Sequence, residues 1–179
     1  MSNTNTLQQL NIQFDSIQDR LILRILSSDG NELRIWLTRR YTRLLLGVID
    51  KIVHPTVGAE KAPHAEEIKA FERDAALESG HFKEEYKADA AENFPLGESP
   101  TLASRIDYKK LGNGAVALTF GIQGGQNINI NLDISLLHVL VKILKQGSTM
   151  AEWNLAASSL KEAGSSSLTS TNKPDTILH

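Results

Sequence analysis

Apolar side chains fall at every second position from Leu21 to Ile25 and again from Leu33 to Leu37. That is the period of a strand with one buried face. Between the two runs, Ser27-Ser28-Asp29-Gly30-Asn31 supplies residues that accept positive φ, which predicts a hairpin. After Thr38, a good helix N-cap, the spacing changes to threes and fours at Tyr41, Leu44, Leu45, Val48, Ile49 and Ile52. This predicts an amphipathic helix, stopped by Pro55 and Gly58. Ile12 and Phe14 mark an earlier strand.

The same pattern recurs 95 positions later. Leu21, Leu23 and Ile25 fall on Val116, Leu118 and Phe120, and Gly30 falls on Gly125. Leu33, Ile35 and Leu37 fall on Ile128, Ile130 and Leu132. Thr38 falls on Asp133, a second N-cap. Leu44, Leu45, Val48 and Ile49 then meet Val139, Leu140, Ile143 and Leu144. With a shift of one residue, Ile12 and Phe14 meet Ile106 and Tyr108. Alternation, turn, cap and helical stripe agree jointly, although few of the matches are identities. The expected fold class is α+β, an internal duplication of a βββα unit, with two meanders in one sheet or in two facing sheets. Pseudo-twofold packing of the copies would bury a continuous core.

These patterns divide the chain. Residues 1–8 read as a flexible N-terminus, 9–57 as copy one, and 103–147 as copy two, ended by Gly147. Residues 58–102 read as an acidic helical connector, with a helix from Pro63 to Gly80 carrying Ile68, Phe71 and Ala75 on one stripe. Phe94-Pro95-Leu96-Gly97 and Ser99-Pro100 mark loop and turn. Residues 148–163 read as a short C-terminal helix. The Ser/Thr/Gly stretch 164–179 has too little apolar surface to order itself.

With 179 residues, 41% hydrophobic and 22% charged, the composition is that of a globular protein. A net charge of −2 exerts no overall pull toward nucleic acid or membrane. The chain contains no cysteine, which excludes disulfides, thiolate zinc sites and cysteine nucleophiles and fits a reducing cytoplasm. The first residues lack the basic and apolar regions of a signal peptide. The longest apolar runs fall short of the roughly 18–20 residues of a membrane span.

Charge is segregated along the chain. Residues 1–57 carry seven Lys/Arg against five Asp/Glu, while residues 58–92 carry five against ten. Six of the eight arginines lie between Arg20 and Arg43. The outward strand positions of copy two are bland: Asn127, Asn129, Asn131, Ala117 and Thr119. Copy one instead presents Arg24, Glu32, Arg34 and Trp36 and opens its helix with Arg39, Arg40 and Arg43. Cations in a first helical turn oppose the macrodipole, at about 0.3–1 kcal/mol each. Arg24, Arg34, Trp36, Arg39, Arg40 and Arg43 are therefore the candidate ligand- or partner-binding residues. They could meet a phosphate or carboxylate, with Trp36 and Tyr41 stacking on bases. The competing expectation is internal: Arg24 and Arg34 pairing with Asp29 and Glu32, and Arg39, Arg40 and Arg43 pairing with the acidic residues 66–78.

No catalytic or metal motif accompanies this surface. His54, His64, His81, His138 and His179 have no metal-ligand spacing, and His138 sits within a helical stripe as a packed or partly exposed side chain. Glu66, Glu67, Glu84 and Glu85 lie in a charged stretch rather than a shielded pocket. Gly112-Asn113-Gly114 precedes a strand and reads as a hairpin turn, not a phosphate loop. No cofactor is expected.

Ser-Asp-Gly-Asn-Glu-Leu-Arg-Ile-Trp-Leu-Thr-Arg-Arg (28–40), Ala-Phe-Glu-Arg-Asp-Ala-Ala-Leu (70–77) and Pro-Leu-Gly-Glu-Ser-Pro (95–100) resemble a family of uncharacterised bacterial proteins. The resemblance spans all but the tails and implies no activity. In topology alone, tandem meander-plus-helix units are similar to the Whirly and positive-cofactor types of single-stranded DNA-binding protein, which carry four strands per unit against three here. Three functions follow as expectations. The first is a non-enzymatic binding protein acting on a protein partner through the Arg/Trp face. The second is a single-stranded nucleic-acid binder using the same face. The third is an enzyme with a site between the copies. Unpaired outer strands would also invite a homodimer.

Overall fold

The computed structural model describes residues 7–53, 86–87 and 90–155. Six strands and two helices are arranged as β1 (Leu7–Asp15), β2 (Arg20–Ser27), β3 (Glu32–Leu37), α1 (Arg39–Val53), β4 (Thr101–Lys110), β5 (Val116–Ile122), β6 (Asn127–Leu132) and α2 (Ile134–Met150). The fold is α+β. The strands form one sheet in sequence order rather than two facing sheets. The expected connector helix at 63–80 and tail at 164–179 lie outside the described residues.

Local chemistry sets the turns. The Asp15 carboxylate accepts the N–H groups of Ile17 and Gln18 at 2.9 Å each, an Asx turn that starts the β1–β2 hairpin. Gly30 has φ +76° in the β2–β3 turn, where residues with a Cβ are disfavoured. Thr38 Oγ1 accepts the Tyr41 N–H at 3.2 Å, and Asp133 Oδ1 accepts the Leu136 N–H at 2.8 Å. Both are N-caps that satisfy orphan donors of a first turn.

Antiparallel registry lines up the apolar positions. Phe14, Leu21 and Leu37 form one row; Ile12, Leu23 and Ile35 form the next. Across the second half, Ile106, Phe120 and Ile128 form another. Both helices cover this face, and one buried cluster runs from Leu10 through Leu144 to Trp153.

The halves meet at β3–β4, a parallel pairing of Ile35 with Thr101 and Trp36 with Leu102. This corrects the expected pseudo-twofold. A twofold would reverse one three-stranded group against the other, whereas here the two groups follow one another in the same order and the same sense. The helices join the halves. α1 follows β3 yet reaches β4, where the Tyr41 hydroxyl donates to the Arg105 carbonyl at 3.0 Å. α2 touches both β6 and β1, the opposite edges of the sheet. Seventeen residues at about 1.5 Å each reach roughly 25 Å, the width of about six strands.

Two helical expectations change. Gly147 does not end α2, which continues to Met150. Gly147 is instead a point of close approach between helix and sheet, since a Cβ there would stand 2.5 Å from Ile12 Cγ2. Residues 151–155 are irregular, with positive φ at Glu152 and Asn154. They return Trp153 to the sheet, where it is 2% exposed. The α1 stripe is also rotated: Tyr41, Thr42, Leu45, Ile49 and Ile52 are buried, while Leu44 is 49% exposed.

Candidate binding surface

Alternation along β2 and β3 places Ile22, Arg24 and Leu26, with Glu32, Arg34 and Trp36, on the face away from the helices. Two of the candidate arginines there are committed internally. Arg24 grips Glu32 with two bonds, Nε to Oε1 at 2.9 Å and Nη2 to Oε2 at 3.1 Å. Arg34 Nε reaches the same Oε1 at 2.6 Å. The Glu32 side chain is fully buried, so this carboxylate is tolerable only because its charge is met from both sides.

The lid over this cluster comes from far along the chain. The Tyr86 hydroxyl donates to Glu32 Oε2 at 2.7 Å, and its ring lies 4.5 Å below the Arg24 guanidinium. Arg34 stacks on Phe94 at 4.6 Å and donates to the Glu98 carbonyl at 2.8 Å. Backbone bonds add to this: the Glu92 N–H donates to the Gly30 carbonyl, and the Glu32 N–H to the Asn93 carbonyl. Burial pushes the Glu32 carboxyl upward, but the hydrogen bonds from Arg24, Arg34 and Tyr86 hold it below its ordinary range. Burial and the neighbouring Glu32 push the Tyr86 hydroxyl well above its ordinary range. The cluster clamps residues 86–87 and 90–98 onto the sheet and is not presented to an external phosphate.

Trp36 lies in the next row, opposite Ile22 on β2 and Leu102 on β4, and all three are partly exposed. Arg39 and Arg40 are exposed at the start of α1, and Arg43 is partly buried. Among the described residues Arg39 and Arg40 make no ion pair; the acidic stretch expected to pair with them lies outside the described residues. Tyr41 is not a stacking platform. It is 5% exposed, packs 6.5 Å from the Phe120 ring and points its hydroxyl at β4. The sequence signal available was its place on the apolar stripe of α1.

A groove of about 210 Å³ opens elsewhere, along the outer edge of β1. Gln9, Leu10, Asn11 and Ile12 line one wall, Ile143, Gln146 and Met150 of α2 another, and Tyr86 closes one side. Sequence reasoning missed this feature, because it depends on α2 crossing back to β1. Among the described residues Tyr86 is the one titratable side chain in its lining, and Glu32 already holds that hydroxyl. Among the described residues no group of three or more histidines or carboxylates is placed to hold a metal ion. No described helix is long and apolar enough to cross a membrane. Against family models, curated proteins and solved structures, this chain finds no match, so its site must be read from its own geometry.

Proposed function

We propose that the chain is a non-enzymatic binding protein whose partner is another protein, held on the outward face around Trp36. The observation that carries this reading is the row Ile22–Trp36–Leu102, a partly exposed apolar strip on the face away from the helices, with the exposed Arg39 and Arg40 following soon after Trp36 at the start of α1. An aromatic anchor with apolar neighbours and a charged rim is the usual anatomy of a protein-binding patch. The Glu32 cluster beside it holds the strip rigid. An acidic partner carrying an apolar side chain suits both components.

Of the two stacking candidates, burial of Tyr41 leaves Trp36 alone, which favours a protein over single-stranded nucleic acid. We further read the two βββα runs as copies of one ancestral unit, on the agreement of turn, cap and helical stripe between them. The absence of cysteine supports a cytoplasmic location.

The test is quantitative affinity capture by wild type, Trp36→Ala and the Arg39→Ala/Arg40→Ala double variant. A protein retained by the wild type and lost by both variants supports the reading. Anisotropy with labelled oligo-dT runs alongside. Salt-sensitive binding with a log–log slope of about −1.4, the value for two phosphate contacts, and its loss in the double variant would replace the protein reading with the nucleic-acid one.

A further inference from the structure

We propose that this chain forms a closed homodimer by antiparallel pairing of β6 with β6 of a second copy. β6 ends the sheet, and among the described residues no strand lies beyond it. The Ile122 N–H donates to the Gln126 carbonyl at 3.0 Å, which sets the phase of the β5–β6 ladder. Successive residues of an antiparallel strand bond to alternate sides, so Ile128, Ile130 and Leu132 bond inward to β5. Asn127, Asn129 and Asn131 therefore turn their backbone N–H and C=O groups to the outer edge. All three are exposed, and their register with β5 runs without a bulge.

The two ends of the sheet differ in this respect. On β1, Gln9 is 7% exposed and accepts the Lys87 N–H at 3.0 Å, and the register shifts between Leu7 and Gln9. Natural edges are usually blunted by a bulge, a covering segment, lysine, proline or other charge. The span Asn127–Leu132 has no bulge, lysine, proline or charge. Pairing at β6 alone gives an isologous contact, which closes as a twofold and does not propagate.

The alternation of β6 suits a second copy in particular. Pairing centred on Asn129 sets Asn129 opposite itself, Asn127 opposite Asn131 and Ile128 opposite Ile130. Asparagines then meet on the polar face and isoleucines on the helix-covered face, and no like charges oppose one another. The carboxamides have donors to spare for this contact. Asn127 Oδ1 accepts from Arg105 Nη2 at 3.2 Å and Asn129 Oδ1 from Thr119 Oγ1 at 2.7 Å, which leaves both Nδ2 groups for bonds across the junction. The same register brings Ile134, 43% exposed at the start of α2, level with the Gly124–Gly125 turn of the second copy. That turn has room beside it, since a Cβ on either glycine would meet nothing within 4 Å. Strand addition at an edge is an established mode of association. β6 lies three strands from Trp36 on β3, and either proposal stands or fails alone.

The chain has no cysteine, so a single introduced thiol reports position cleanly. Opposed residues of a hydrogen-bonded antiparallel pair have Cα atoms about 5.5 Å apart, within disulfide range. Asn129→Cys, on the axis, should therefore oxidise to a cross-linked dimer, whereas Gln13→Cys on β1 should not. Sedimentation of the unmodified full chain should show a dimer. Asn129→Lys, which opposes two ammonium groups across the axis, should shift it toward monomer with its circular dichroism unchanged. A wild-type chain that stays monomeric to the highest attainable concentration overturns the proposal. So does a dimer that Asn129→Lys leaves intact, or cross-linking at position 13 in place of 129.

Discussion

The indole Nε1 of Trp153 donates to the Asp19 carboxylate at 2.7 Å, across 134 residues of sequence. The same ring meets Phe14 edge-on, with centroids 6.4 Å apart, a favourable quadrupole geometry. The segment after α2 is thereby fastened to the β1–β2 hairpin. Trp153→Ala should destabilise the protein by about 3–5 kcal/mol, the range for a deleted core aromatic. Trp153→Phe keeps most of the packing and should cost about 1 kcal/mol for the lost hydrogen bond. Urea unfolding followed by circular dichroism separates the two.

Glu32 makes stability depend on acid. Its folded pKa lies below its ordinary value of 4.5, so the unfolded chain takes up the proton first. The stabilisation is complete above about 4.5 and is lost as pH falls through the depressed folded value. Urea midpoints of the wild type should decline below that point, and Glu32→Gln should flatten that decline. At neutral pH Glu32→Gln should be less stable by about 3 kcal/mol, because it strands Arg24 and Arg34 without a counter-charge.

Gly147→Ala sets two effects against each other. Alanine improves helix propensity by about 1 kcal/mol. Its Cβ would also meet Ile12 Cγ2 at 2.5 Å and both Leu21 methyls at 3.1 Å, and overpacking of this kind costs about 1–3 kcal/mol. Ile12 is β-branched and has little rotamer freedom to give way. The expected outcome is a lower thermal midpoint, with α2 content unchanged by circular dichroism.

Thr42 is fully buried on α1, and its hydroxyl has no hydrogen-bond partner. Thr42→Val replaces the stranded hydroxyl with a methyl of nearly the same shape. It should stabilise the fold by about 1 kcal/mol, since an unsatisfied buried group costs about 1–3 kcal/mol. A rise in the urea midpoint at constant slope would confirm it; a fall would mean that the hydroxyl has a partner after all.

What the sequence determined by itself was local. Alternation from Leu21 to Ile25 and from Ile128 to Leu132 specified strands and their buried faces, because side-chain direction in a strand has a period of two. Gly30, Gly125, Thr38 and Asp133 marked turns and caps, since each answers a backbone requirement within a few residues. The candidate surface was legible as residue types and, across the β2–β3 hairpin, as the pairing of Arg24 and Arg34 with Glu32. Arg24, Arg34 and Trp36 were visible as unusual outward positions, but Tyr86, Phe94 and Glu98, which occupy the two arginines, stand more than fifty residues away. The parallel β3–β4 junction, the crossing of α2 to β1, the inward turn of Tyr41 and the return of Trp153 belong to tertiary structure alone. Each is decided by which of several apolar faces bury one another, a global competition among contacts that leaves no periodic trace in the chain.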